Sequence, residues 1–378
     1  MKLRKLLLPV ITAVVAVVLT VLSGEGLNAI SRLERPDTSI TYRLISRLSS
    51  APTADDLTGP DSPNITNIDQ IRPLLPALEA NAVGMGNSPF NQLKHGAAAV
   101  KHVVDGCEEL KPNLRKVVSF LRSELFNTFE PLNYFYDDER QLPADIQQFF
   151  GKYSFRKTRL TTNEVGERTT LPLVKSSDKI LIAGDSLGMS AMVDDNETLA
   201  SQLQAIDMSH QYVNIGVPGT EARNIICVLE RAAKRYAGQV REVIYPFSEN
   251  DLDDSAPYGK PEELIAWLAR FGKENGIQRI TIIFMPYIYN SVSDLTRIPG
   301  NDHYDWPRNW AKKRKLLSLA EQEGLQHLDF TDITEEERRN AGTQFAALAL
   351  YVDQAHLSRL GIERLVHKLR ALNGYGGA

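Results

Sequence analysis

The sequence predicts an α/β protein of three layers, α/β/α, in which a parallel sheet of about five strands lies between two sets of helices. Two observations predict it. Short apolar runs recur at Lys179-Ile180-Leu181-Ile182-Ala183, Tyr212-Val213-Asn214-Ile215, Glu242-Val243-Ile244-Tyr245 and Arg279 to Phe284, with Leu325 to Phe330 as a further candidate. Such runs suit strands buried on both faces. Helical stretches separate them, at about 197–206, 221–237, 261–275 and 307–323, and a last one runs over about 358–372. That alternation is what a parallel sheet requires. The composition agrees. Of 378 residues, 43% are hydrophobic and 24% charged, which excludes wholesale disorder, a collagen and a polytopic membrane protein. The 43 basic and 47 acidic side chains leave a formal charge of −4, which argues against a nucleic-acid binder.

The elements before the sheet read as follows. Residues 1–5, Met-Lys-Leu-Arg-Lys, are basic, and Leu6 to Ser23 carry no charge. As a helix that apolar segment spans roughly 27 Å, close to the thickness of a bilayer core. The segment is longer than the apolar core of a cleaved signal peptide, and Val21-Leu22-Ser23 is a poor cleavage site. The expectation is a signal anchor over 1–24, with Lys2, Arg4 and Lys5 cytoplasmic and the rest of the chain outside. A cleaved segment would instead give a secreted protein. Residues 50–65 are rich in Pro, Ser and Asp and read as a linker. Residues 67–135 read as helical from spacings such as Val117, Phe120, Leu121 and Leu125, interrupted at Lys111-Pro112-Asn113, and residues 136–175 read as polar and irregular. The domains are therefore placed at 1–24, 25–170 (linker and mainly helical region) and 171–378. Cys107 and Cys227 are too few for a disulfide framework or a cysteine zinc site. Cys227, inside Asn224-Ile225-Ile226-Cys227-Val228-Leu229, reads as a buried small hydrophobe. A bridge to Cys107 is open outside the cytoplasm, and nothing in the sequence demands it.

In a parallel sheet ligands bind beyond the carboxyl ends of the strands. The first run is followed by Gly184-Asp185-Ser186-Leu187-Gly188. The second continues as Asn214-Ile215-Gly216-Val217-Pro218-Gly219, and the third is followed by Ser248-Glu249-Asn250-Asp251. Before the last helix comes Asp353-Gln354-Ala355-His356-Leu357-Ser358. These four blocks, in this order, resemble those of the GDSL, or SGNH, hydrolase superfamily, over a little more than half of the chain. Asn163-Glu164-Val165-Gly166-Glu167-Arg168 and Asp195-Asn196-Glu197-Thr198 also look like its membrane-anchored bacterial members. The third block departs from the superfamily pattern, with Ser248 where a Gly is usual. The resemblance implies a flavodoxin-like sheet and a serine nucleophile, and that chemistry needs no cofactor.

The residue chemistry fits. A serine hydroxyl is a poor nucleophile until a base takes its proton. Ser186 is the candidate nucleophile and His356 the candidate base. Asp353, three residues earlier, is placed to orient the imidazole and stabilise its charged form. The N–H groups of Ser186 and Gly216 and the amide of Asn250 are the candidate oxyanion donors. Simpler roles stand beside these: Ser186 as a helix N-cap, Asn250 and Asp251 in an Asx-turn, Asp353 as a solvated turn residue, and Asp185 as support for its turn. His303, in Asn301-Asp302-His303-Tyr304-Asp305, is a rival base, while His95, His102, His210, His327 and His367 lack paired-ligand spacing. The acidic stretch from Asp251 to Pro261, with Asp253 and Asp254, and residues 287–310, with Tyr287, Tyr289, Tyr304, Trp306 and Trp310, sit where insertions shape a substrate site or pack onto the domain. Three functions are open: a serine esterase acting on an O-acetylated glycan, a lipid or another short acyl ester; an acyltransferase to a glycan with the same residues; and a non-catalytic membrane-tethered binding protein of the same fold.

Overall fold

The computed structural model describes residues 100–120, 133–136, 156–248, 251, 260–286, 306–341, 349–352 and 355–375. The described chain opens with an antiparallel hairpin, β1 (Lys101–Val104) and β2 (Cys107–Leu110). Asp105 and Gly106 turn it with φ of 51° and 84°, the paired positive φ that a two-residue hairpin turn needs. A three-stranded antiparallel sheet follows, in the order β4-β3-β5, from β3 (Arg115–Phe120), β4 (Asn133–Tyr136) and β5 (Arg156–Thr161). The helical expectation for 67–135 fails here. Arg115-Lys116-Val117-Val118-Ser119-Phe120 is a strand, because its alternate residues pair with β5 and bury Val118 against Leu160. The irregular reading of 136–175 fails at β5 for the same reason. Residues 1–99, the proposed anchor included, lie outside the described residues. Among the described residues no helix is long and apolar enough to cross a membrane.

The main sheet is parallel and five-stranded, as expected. Its strands are β6 (Lys179–Ile182), β7 (Gln211–Asn214), β8 (Val240–Ser248), β9 (Arg279–Met285) and β10 (Gln326–Asp329), ordered β10-β9-β8-β6-β7. Counted along the chain within this sheet, the order is 2-1-3-4-5, the flavodoxin-like arrangement. Pro246 sits in β8 beyond Ile244, the last residue that pairs with β6, so its missing N–H costs no bond to that strand.

The helices are α1 (Ser186–Met189), α2 (Leu199–Ile206), α3 (Ala222–Arg235), α4 (Pro261–Glu274), α5 (Trp306–Gln322), α6 (Phe330–Ala341) and α7 (Arg359–Asn373). Strand side chains alternate between two cores. Leu181, Val213, Val243 and Ile282 meet α3, α4 and α5. Ile180, Ile182, Ile244 and Ile283 meet α2, α6 and α7. The three layers follow directly from that alternation. Helix α6 was not expected. It begins at Phe330, the residue read as the end of the last strand, and buries Phe330 and Ile333.

Cys227 is not a free core thiol. It is half-buried and disulfide-bonded to Cys107, with Cα atoms 5.7 Å apart. The bond ties the hairpin to α3. Around it Asn224 exchanges two hydrogen bonds with the Glu108 backbone, at 2.7 and 2.9 Å, and Arg231 pairs with Glu109 at 2.7 Å.

Candidate active site

The crossover in the main sheet falls between β6 and β8, whose connections leave in opposite directions, and a crevice opens at the carboxyl ends there. β6 ends at Ile182, and a tight turn carries the chain into α1. Gly184 has φ of 133°, and a Cβ on it would stand 3.0 Å from the Pro246 carbonyl. Asp185 caps α1, its carboxylate accepting from the Leu187 N–H at 2.8 Å. The cap is therefore Asp185, and the Ser186 hydroxyl is left for another partner. From Lys179 to Val193 every residue is buried except Ser186.

His356 comes from the other end of the domain. Ser358 caps α7, accepting from the Gly361 N–H at 3.2 Å. Just before it the Val352 N–H donates to the His356 carbonyl at 2.8 Å and Tyr351 pairs with Leu357, closing a tight loop. That loop sets His356 Nε2 2.8 Å from Ser186 Oγ, across 170 residues of sequence. For the hydroxyl to donate, Nε2 is the unprotonated ring nitrogen and Nδ1 carries the proton. A small cavity beside the pair is walled by Ala191, Leu199, Met285, Leu357, Ile362 and Leu365.

Gly216 is fixed by a hydrogen bond and by close packing. Its N–H donates to Asn214 Oδ1 at 3.1 Å, and the residue is buried. What the site needs from Gly216 is the absence of a side chain. A Cβ there would lie 2.1 Å from the Met189 nitrogen and 2.6 Å from the Gly188 carbonyl carbon, both in α1. Gly216→Ala is therefore expected to push α1 off β7. The cost is about 3 kcal/mol by overpacking, read by urea unfolding, and the seating of Ser186 is lost with it.

Asn250 and Asp353 lie outside the described residues, as do His303, Tyr287, Tyr289 and Tyr304. Trp306 and Trp310 fall in the first turns of α5 rather than in a loop. Ser248, the departure from the superfamily pattern, closes β8 and pairs in register with Met285. Asp251 is buried, at 1% exposure. Among the described residues no group of three His, Cys, Asp or Glu side chains is arranged to hold a metal.

Two residues at the site had no assigned role in the sequence. Lys101, in the hairpin, donates to the Gly219 carbonyl at 3.0 Å and so touches the turn that follows β7. Arg168 is 2% exposed. Its Nε donates to Asp195 Oδ1 at 3.1 Å. Nη1 donates to the carbonyls of Met189 and Ser190 at 2.8 and 2.6 Å, and Nη2 to those of Val193 and Arg159 at 2.6 and 3.3 Å. Burial pulls this guanidinium below its ordinary pKa and Asp195 opposes the shift; a guanidinium stays charged in either case.

A hydroxyl and an imidazole thus stand in contact at the crossover of a parallel sheet. Several solved structures share similarity with the chain. A member of the lipolytic protein G-D-S-L family from Veillonella parvula matches at 13% identity and a TM-score of 0.41, covering 53% of this chain and 99% of its own. A variant of an acetylxylan esterase from Geobacillus stearothermophilus matches at 19% identity and a TM-score of 0.38, over 53% of this chain and 96% of its own. A lipase/acylhydrolase from Enterococcus faecalis matches at 18% identity and a TM-score of 0.36, over 52% and 96%. No protein-family model matches the chain, and no curated protein matches it significantly.

Proposed function

We propose that this chain is a serine esterase of the GDSL/SGNH kind that hydrolyses short acyl esters. The observation that carries the reading is the 2.8 Å contact between Ser186 Oγ and His356 Nε2. His356 takes the hydroxyl proton as Oγ attacks the ester carbonyl, and returns it to the departing alcohol. Water, activated by the same imidazole, then releases the acid. Asp353 is the proposed orienting carboxylate. Its support is its sequence position, three residues before His356. The N–H of Ser186, at the start of α1, and the Asn250 amide are the proposed oxyanion donors. Gly216 joins them only if Asn214 Oδ1 releases its N–H.

The small apolar cavity beside the serine supports an acyl group of acetyl size. With p-nitrophenyl esters, kcat/KM is expected to fall at least about tenfold from acetyl to octanoyl, because the added methylenes find no room. A rise along that series would reject the short-acyl assignment. The disulfide supports an oxidising, extracytoplasmic location, consistent with residues 1–24 as a membrane anchor. The serine reading itself is tested by a fluorophosphonate probe on the full chain in detergent. Stoichiometric labelling mapped to Ser186 is expected, and a folded protein that takes up no label overturns it.

A further inference from the structure

Arg168 sits where a cation is expensive, since a buried charge must be fully paired to be tolerated. A guanidinium has five N–H donors, and here each meets an acceptor: one carboxylate oxygen and four backbone carbonyls. Three of the carbonyls, those of Met189, Ser190 and Val193, belong to the segment that directly follows the Ser186 turn. That segment is costly to hold by itself. Helix α1 is one turn long, and Ser190, at its end, has φ of 59°, an uncommon conformation for a residue with a side chain.

The anchor behind the guanidinium is equally fixed. Asp195 accepts from Arg168 Nε, from the Thr161 N–H at 3.1 Å and from the Thr161 hydroxyl at 2.7 Å. The Arg168 N–H donates to the Asn214 carbonyl at 3.0 Å, which ties it to the end of β7. The Asn214 amide also reaches the Met189 carbonyl, at 3.3 Å. The carboxyl end of α1 is thus clamped by groups rooted in β5 and β7, while its amino end carries the serine.

We infer that Arg168, held by Asp195, is a positioning residue for the proposed hydrolysis: it fixes the segment behind α1 so that Ser186 Oγ stays in line with His356 Nε2. It touches no reacting atom. The inference rests on the serine-esterase reading above. A nucleophile displaced by about 1 Å loses roughly a hundredfold in rate, so the clamp is expected to act mainly on kcat.

The test uses the full chain with three variants: Arg168→Lys, Asp195→Asn and, as a control, Tyr375→Phe. Tyr375 is 4% exposed and hydrogen-bonded to Glu242, near the start of β8 and away from the site. For each, kcat and KM on p-nitrophenyl acetate, the rate of fluorophosphonate labelling and the melting temperature are measured. Arg168→Lys cannot serve five acceptors, and kcat and the labelling rate are expected to fall roughly 30- to 100-fold, with KM within twofold. Asp195→Asn keeps the guanidinium but loosens it, and about tenfold is expected, which leaves a folded readout should Arg168→Lys not fold. Tyr375→Phe is expected to lower the melting temperature with kcat within twofold. Folded Arg168→Lys or Asp195→Asn protein with wild-type kcat and labelling overturns the inference, as does Tyr375→Phe losing kcat in proportion to its stability like the other two. Wild-type protein that takes up no label instead fails the esterase reading, so the two failures are distinct.

Discussion

Ser186→Ala is expected to lower kcat on p-nitrophenyl acetate by about four orders of magnitude or more, and to abolish fluorophosphonate labelling, while the melting temperature stays within a few degrees. The reasoning starts from burial. Ser186 is the single accessible residue in the run from Lys179 to Val193, so the fold has brought one hydroxyl to the crevice and covered its neighbours. Alanine keeps the backbone of α1, since the cap is Asp185. His356→Ala is expected to cost nearly as much, because without Nε2 the hydroxyl has no base at 2.8 Å. The decisive measurement is the double variant. Residues that act on one proton are not additive, so Ser186→Ala/His356→Ala should be no slower than Ser186→Ala alone. Two losses that multiply would mean that the residues act independently, and the triad would be abandoned.

Much of this arrangement was legible in the sequence. The inner strands of the main sheet are short apolar runs because both faces are covered, and those runs need no tertiary knowledge to find; the edge strand β10, Gln326–Asp329, is mostly polar and half-buried. Ser186 and His356 were legible because each stands at an element boundary: one at the end of a buried strand, the other just before a capped helix. The failures have physical reasons. Val117 and Phe120 are spaced as on a helix, but Val117 and Val118 are β-branched and pair with β5. Asp105-Gly106 is a strong hairpin signal that the helical reading passed over. Helix α6 has few apolar residues and a surface mostly of charge. Its sequence signals were Asp332 in the first turn and Arg338 and Arg339 in the last.

Arg168 and Gly216 were opaque in a deeper sense. The stretch holding Arg168 was visible as a pattern, but its five acceptors come together only when β5, α1 and β7 meet. No spacing rule converts the sequence into that cage. Gly216 has a packing role that its place in the turn does not reveal. A glycine near a nucleophile invites the thought of a free N–H, whereas here the missing Cβ admits α1 and the N–H is spent on Asn214. The distinction is testable through the stability cost of Gly216→Ala. An N–H role alone would predict no such cost.

Replacing both Cys107 and Cys227 by alanine is expected to give a large loss of stability. The bond closes a loop of 120 residues, and in the chain-entropy account a loop near that length is worth about 5 kcal/mol. The other links between the hairpin and α3 are weaker. The Asn224 hydrogen bonds contribute about 1 kcal/mol each, and the exposed ion pair of Arg231 with Asp105 less than that. The loop also contains β3, β4 and β5 and two of the five strands of the main sheet, β6 and β7, so the constraint reaches beyond the hairpin. A fall in melting temperature of about 10–20 °C is expected, and dithiothreitol should produce the same shift in the wild-type protein and none in the double variant. Lys101 reaches the Gly219 carbonyl from this hairpin, so the melt should be followed by esterase activity as well as by circular dichroism. Coincident curves would show hairpin and sheet unfolding as one unit. Activity lost several degrees earlier would show the hairpin leaving first, and a shift under about 1 kcal/mol would mean that the bond constrains only the hairpin and that the sheet stands without it.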